Sequence, residues 1–409
     1  MRNLNTEDLL IVICSLVVLS YLFSIISRFI RVPSVLLLLF AGIGFRMLTD
    51  YYDGTLEFPD KLVESLGVVG LIMIVLEAGL DLKLGRNKIK LIRDSFFSAL
   101  FILVVSVALI MGVLHYWTNE PLNKCLVYAI PLSIMSSSIV IPSIHHLNEQ
   151  KKEFLVYEAS FSDILGILAF NYFTIESEFS FGSLGMFGAN IIISILLSVL
   201  LSFILFLILA KTKLNIKFFL IFSLLILIYS GGKNLHLPSL IIILVFGLMI
   251  NNWEKIKWPR LLRYFPNAQV EPLRDLLHSI TAETSFLVRT FFFILFGYAI
   301  QLNFFREQEV WIVGGSIVVA LFVVRLLYLR FFVHTNVFPE SFFIPRGLIT
   351  IVLFYKIPEK FKLGAFNNDI LFFIILTTSI VMMLGMVFYR QRPDQIVEEA
   401  TFIERKDIL

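Results

Sequence analysis

The stretch Phe154-Leu-Val-Tyr-Glu158-Ala-Ser160-Phe-Ser162-Asp163-Ile-Leu-Gly166-Ile-Leu-Ala-Phe-Asn-Tyr-Phe-Thr174 decides the fold. It follows Lys151 and Lys152 and has about the 20 residues needed to cross a ~30 Å hydrocarbon core, yet it carries two carboxylates. It is either the polar face of a soluble helix or a membrane span with charges inside it. The rest of the chain chooses. Of 409 residues, 58% are hydrophobic and 16% charged, against roughly 45–50% and 25% in soluble domains. Mean hydropathy is +0.87, and the 42 phenylalanines suit lipid contact. The chain reads as an all-α polytopic membrane protein. A net charge of +3 is too small for a nucleic-acid-binding face. Cys14 and Cys125 form neither a disulfide framework nor a metal motif.

Outward from 154–174, the chain divides into thirteen apolar runs: roughly 9–27, 34–48, 62–80, 95–117, 122–144, 154–174, 185–209, 216–231, 237–251, 276–301, 310–332, 342–357 and 370–389. The first is too long for a cleaved signal, lacks a small-residue cleavage site and is followed by Arg28 and Arg31. Of the 34 Lys and Arg, 22 fall in the breaks after odd-numbered spans and 9 on the opposite side. By the positive-inside rule the N-terminus is outside and the C-terminus cytoplasmic, as expected in a cell (inner) membrane. The longest break, 252–275, and the tail, 390–409, are too short for a second domain, so residues 1–389 form one transmembrane domain. A membrane enzyme working through a large outer loop is excluded.

Ionisable groups within a bilayer cost several kcal/mol unless paired or hydrated. Glu158, Asp163, Glu283, Arg289, Arg325 and Arg346 lie well inside spans, and Glu77 and Asp81 end the third. Asp163 is eleven residues beyond Lys152, about 16 Å at 1.5 Å per residue, near the midplane. The same count puts Glu158, Glu283, Arg325 and Arg346 in one shallower layer, and Asp163 and Arg289 in a deeper one. Structural ion pairs are expected between Glu158 and Arg346 and between Glu283 and Arg325. Arg289 is open between pairing with Asp163, repelling cations and packing. Asp163, flanked by Ser160, Ser162 and Gly166, is the expected functional carboxylate.

Two spans look interrupted. The fifth contains Pro131, Ser133, Ser136, Ser137, Ser138, Pro142 and Ser143; the twelfth starts Phe343-Ile-Pro345-Arg346-Gly347. Prolines remove backbone donors, and hydroxyls replace lost partners. Spans five and twelve are equivalent if the chain is two six-helix repeats, about 9–174 and 216–389, joined by a linker helix 185–209. Because equivalent spans are seven apart, an odd offset, the repeats are inverted, and matched breaks point to a transporter site between them.

The segment from Glu158 through Ser162-Asp163 to Gly166 resembles the Glu-Ser-x-x-Asn-Asp-x-x-Gly segment of the monovalent cation:proton antiporters, the sodium/proton exchangers. Gly67 to Asp81, with Glu77-Ala-Gly79, resembles that family's third helix, and the serines 136–138 its unwound fifth. Phe291 to Gly297 and Pro345-Arg346-Gly347-Leu resemble its tenth and twelfth. The resemblance spans essentially the whole chain. It implies Asp163 as the carboxylate that binds Na+ (the transported metal ion) or a proton, with Ser136, Ser137, Ser138 and Ser162 beside it. It implies Glu158 and Arg346 as a stabilising pair, a homodimer, elevator-like movement and no cofactor. Two departures stand out: Ser162 replaces the family's Asn or Asp, and the usual Thr-Asp of the fifth helix is absent. A single midplane carboxylate predicts electroneutral one-for-one exchange. Other readings stay open: a K+/H+ antiporter, a channel-like or non-transporting scaffold on the same fold, or an intramembrane enzyme using His145 and His146.

Overall fold

The computed structural model describes residues 6–30, 32–51, 60–83, 85, 88–144, 147–175, 218–234, 239–253, 267–299, 307–333, 338–364, 366 and 368–389, with scattered positions between 185 and 204. Part of the seventh expected span, the tail 390–409, the pair His145 and His146, and most of the basic breaks at 211–217 and 255–263 lie outside the described residues. The described residues form α-helices with short 3-10 and π turns: α1 Thr6–Ile30, α2 Ser34–Tyr51, α3 Asp60–Asp81, α4 Ile89–Thr118, α5 Leu122–Ser133, α6 Ser137–Ser143, α7 Glu149–Ile175, α8 Phe218–Asn234, α9 Ser239–Asn251, α10 Asn267–Ala299, α11 Gly315–Tyr328, α12 Leu348–Tyr355 and α13 Asn368–Phe388. Twelve of the thirteen expected spans coincide with these helices, the fifth being split into α5 and α6. Six stretches among the described residues are long and apolar enough to cross a membrane: Ser34–Tyr51, Ile89–Thr118, Leu122–Ser143, Val270–Ala299, Val310–Phe332 and Asn368–Phe388. The molecule is an all-helical integral membrane protein with several spans.

The chain forms two compact units. The first holds residues 1–56, 91–166 and 293–409. Its centre is the broken pair α5 and α6: 83% of that span is buried, against 33% of α4. Helix α4 instead turns Phe97, Phe101, Val104 and Leu109 outward, as expected for a lipid-facing surface. Helix α2 meets the end of α10 through facing glycines. A Cβ on Gly42 would strike the Ile294 carbonyl oxygen, and one on Gly297 the Leu39 carbonyl oxygen. Small residues permit such backbone approach, and van der Waals packing holds helices together where no hydrophobic drive exists.

The second unit holds residues 57–90 and 167–292. Here α3 packs on α9, again through facing glycines. A Cβ on Gly79 would lie 2.7 Å from the Leu244 carbonyl oxygen, and one on Gly247 would lie 2.9 Å from that of Leu76. The amides of Asn251 and Asn252 donate to the Leu82 carbonyl at 3.1 and 2.8 Å, closing the end of α3. Asp81 meets His278 at 2.9 Å, and Glu77 lies 3.8 Å from Arg289.

Candidate functional site

Helix α5 contains Pro131 and stops at Ser133; Ile134 and Ser136 are extended, and α6 restarts at Ser137. Backbone donors at such a break have no helical partner, and a membrane interior has little water to supply one. Three consecutive N–H groups are taken up by other elements. Met135 N–H donates to the Ser162 hydroxyl at 2.9 Å, Ser136 N–H to the Pro345 carbonyl at 3.0 Å, and Ser137 N–H to Asp163 Oδ2 at 3.2 Å. The Ser136 and Ser138 hydroxyls bond each other at 2.8 Å. Ser162 and Asp163 on α7, and Pro345 of the second break, thus hold the first break open.

That second break is Phe343 to Gly347, which is not helical; α12 begins only at Leu348. Gly347 has no side chain because the two breaks touch there: a Cβ would stand 2.5 Å from Ser136 Oγ. Arg346 Nε donates to the Leu132 carbonyl at 2.6 Å and Nη1 to that of Ile344 at 2.9 Å. Leu132 is in the last turn of α5, where carbonyls lack helical partners and a cation is favoured. The Arg346 N–H donates to Thr378 of α13 at 3.2 Å.

The expected pairing of the buried charges is corrected. Glu158 pairs with Arg325, not Arg346: the Arg325 guanidinium donates to both carboxylate oxygens, at 3.2 and 2.8 Å, with both side chains buried. Ser98 of α4 donates a further hydrogen bond to Glu158. Glu283, the partner expected for Arg325, is exposed on α10. The reason is the rise of the chain. Counting Arg346 at 1.5 Å per residue assumed a helix, whereas an extended chain rises about 3.3 Å per residue. The non-helical stretch carries Arg346 past the Glu158 layer to the α5 terminus, while Arg325 on continuous helix stays level with Glu158. Arg289 lies beside Glu77 in the second unit.

Asp163 is only 2% exposed. Its Oδ2 accepts the Ser137 N–H, while its Oδ1 is buried with no hydrogen-bond partner. Among the described residues of its unit it forms no ion pair. The structure brings Asp163, Ser162, Ser136, Ser137 and Ser138 to the crossing of the two breaks, and all five are buried. Sequence reasoning missed three groups, and named Ser160 only as a small neighbour of Asp163. Ser160 and Thr350 carry buried hydroxyls without partners. Lys151 and Glu340 form a 2.6 Å pair, and the Glu340 carbonyl accepts Arg325 Nε at 2.6 Å. Glu340 lies only six residues before Arg346, at the expected cytoplasmic start of the twelfth span, where a charge is ordinary and carries no signal.

The model of the family described as "Sodium/hydrogen exchanger, transmembrane" matches residues 15–389. The chain belongs to the sodium/hydrogen exchanger family. It is therefore an ion transporter of the cation/proton antiporter type and not an enzyme. No curated protein matches it. Among solved structures, the exchanger fold is shared with the sodium proton antiporter MjNhaP1 from Methanocaldococcus jannaschii at pH 8, with a TM-score of 0.64 and 18% identity over 92% of this chain and 94% of that one. An electron-microscopy structure of the same antiporter gives 0.63 and 17% over 95% and 100%.

Proposed function

We propose that this exchanger carries one monovalent cation, Na+, against one proton through Asp163, as a homodimer in the cell membrane. The observation that carries the reading is the half-used carboxylate: Oδ2 is anchored by the Ser137 N–H while the buried Oδ1 has no partner. A carboxylate left without a cationic side chain inside a bilayer needs a proton or a bound cation. Asp163 can hold either, not both. Binding Na+ displaces the proton, and protonation displaces Na+. If the empty, charged site crosses poorly, the two fluxes are coupled, and one carboxylate couples one charge to one charge. Ser136, Ser137 and Ser138 lie beside it and offer hard oxygen donors, as do carbonyls freed at the two breaks.

The inverted-repeat reading draws support from the glycine crossings. Under a shift of seven spans, the second and third spans correspond to the ninth and tenth. The pair α2 with α10 then corresponds to the pair α9 with α3. Both close on facing glycines, Gly42 with Gly297 and Gly79 with Gly247. The fifth and twelfth spans, the two that break, correspond to each other and are bonded through Ser136 and Pro345. The basic bias of the breaks supports an outside N-terminus and a cytoplasmic C-terminus.

The test is proton flux from reconstituted vesicles on adding Na+. Asp163→Asn is expected to abolish exchange with normal folded yield, and an imposed membrane potential to leave wild-type exchange nearly unchanged. Exchange surviving in Asp163→Asn would remove Asp163 from the mechanism. Strong voltage dependence would overturn the one-to-one ratio.

A further inference from the structure

Several helix hydroxyls of this chain satisfy themselves locally. A serine or threonine within a helix can satisfy itself by donating to the carbonyl four residues back. Thr118, Thr174, Thr284, Thr290 and Thr378 all do so, at 2.7–2.9 Å. Thr350 does not. It is fully buried, and its hydroxyl has no partner. A buried polar group left unpaired costs about 1–3 kcal/mol, so in a native structure it calls for an ion or a water.

Its place in the fold says which. Thr350 is the third residue of α12, one turn after Gly347, and a helix side chain tilts towards the helix N-terminus, here towards Gly347. The cap here is Gly347, pressed against Ser136. The next residue, Ser137, donates its N–H to Asp163. Two buried, unpartnered oxygens, Thr350 Oγ1 and Asp163 Oδ1, therefore flank the crossing of the two breaks, one from α12 and one from α7. Ser106, Thr281 and Ser379 are also unpartnered, but none adjoins that crossing in sequence: they lie in α4, α10 and α13. Ser160 is unpartnered too, but it lies on α7 with Asp163, so Thr350 is the oxygen that α12 brings to the crossing.

We propose that the Thr350 hydroxyl is a ligand of the transported cation, supplying from α12 a neutral hard oxygen opposite the Asp163 carboxylate. The inference rests on Asp163 being the ion site. A neutral ligand contributes to cation affinity without changing the charge that one Asp163 couples, so it sets KM and not stoichiometry. Valine replaces the hydroxyl with a methyl of similar size, and serine keeps the hydroxyl.

The experiment titrates Na+ and Li+ against proton flux in proteoliposomes, and measures Tm with and without Na+ in detergent. Thr350→Val is expected to raise the apparent KM for Na+ about fivefold to a hundredfold, the range that corresponds to 1–3 kcal/mol, with the maximal rate largely kept. It should also lose most of the Na+-induced rise in Tm, while its Tm without Na+ stays level or rises. Thr350→Ser is expected to stay within about twofold of wild type on the same scale. Ser379→Ala and Ser106→Ala should leave KM unchanged. An unchanged KM in Thr350→Val, or an equal rise in Ser379→Ala, would overturn the proposal. So would a lower Tm in Thr350→Val with the Na+ increment intact, since that marks a structural hydroxyl. Asp163→Asn, run alongside, separates the two readings: exchange in that variant removes the site itself, whereas a dead Asp163→Asn with an unaltered Thr350→Val removes only Thr350.

Discussion

Glu158 and Asp163 stand five residues apart on α7, equally buried, and their surroundings are opposite. Glu158 is saturated: a guanidinium fork from Arg325 and a hydroxyl from Ser98 occupy both oxygens. Asp163 takes one backbone N–H and leaves an oxygen open. The same side-chain chemistry is thus committed to architecture at one site and left available for exchange at the other. Burial does not separate them; partner count does. A carboxylate clamped between α4, α7 and α11 cannot release its counter-ion without loosening three helices, whereas Asp163 can change occupant and keep its anchor to the first break.

The largest expected effect tests the saturated end of that comparison. Removing one partner of a buried ion pair leaves an uncompensated charge and costs about 3–5 kcal/mol. Glu158→Gln should therefore sharply lower folded yield in detergent, measured by size-exclusion recovery, and Arg325→Gln should do the same. The double variant should recover much of the yield, because no buried charge is left alone. The folded fraction of each should still exchange Na+ for protons. Normal yield with lost transport would move Glu158 from the architecture into the ion path and dissolve the contrast.

A middle-sized effect tests how the open end is anchored. Ser162, where the resembling family has Asn or Asp, accepts the Met135 N–H at 2.9 Å. Ser162→Ala leaves that buried donor unmet, at about 1–3 kcal/mol. The expected outcome is a Tm lower by several degrees, with reduced exchange, because the segment that presents the Ser137 N–H to Asp163 loses a tether. Ser162→Asn, which keeps an acceptor, should restore much of both. An unaffected Ser162→Ala would mean that the Pro345 and Asp163 contacts alone hold the break.

Much of this was legible in the chain. Spans declare themselves because a bilayer demands about 20 apolar residues wherever it is crossed. Both breaks were visible because prolines and clustered hydroxyls have little other reason to sit in a span. Asp163 stood out through depth and small neighbours. The pairing of charges was not legible, for two reasons. Counting residues gives a height along a helix but no direction around it, so Arg325 and Arg346 were equivalent candidates. The count itself also changes scale where the chain is extended, which displaced Arg346 from the layer assigned to it. The open hydroxyls of Thr350 and Ser160 were not legible for a third reason: a hydroxyl in a membrane helix ordinarily bonds its own backbone, and only the folded structure shows which ones do not.

The smallest expected effect asks how far the saturated region extends. Lys151 and Glu340 pair at 2.6 Å, and the Glu340 carbonyl holds Arg325, so the pair is connected to Glu158. Yet its side chains are 13% and 9% exposed, against 2% and 1% for Arg325 and Glu158. Partial access to water screens a charge pair and lets an orphaned partner hydrate, which brings its worth towards the 0–1 kcal/mol of surface pairs. Lys151→Met should then cost about 1 kcal/mol, with exchange kept. The exchanged pair, Lys151→Glu with Glu340→Lys, should regain most of the loss in a double-mutant cycle read by Tm. A loss as large as that of Glu158→Gln would show that Glu340 is needed to aim Arg325. The boundary between the committed and the available carboxylate would then depend on a contact at the very start of α7.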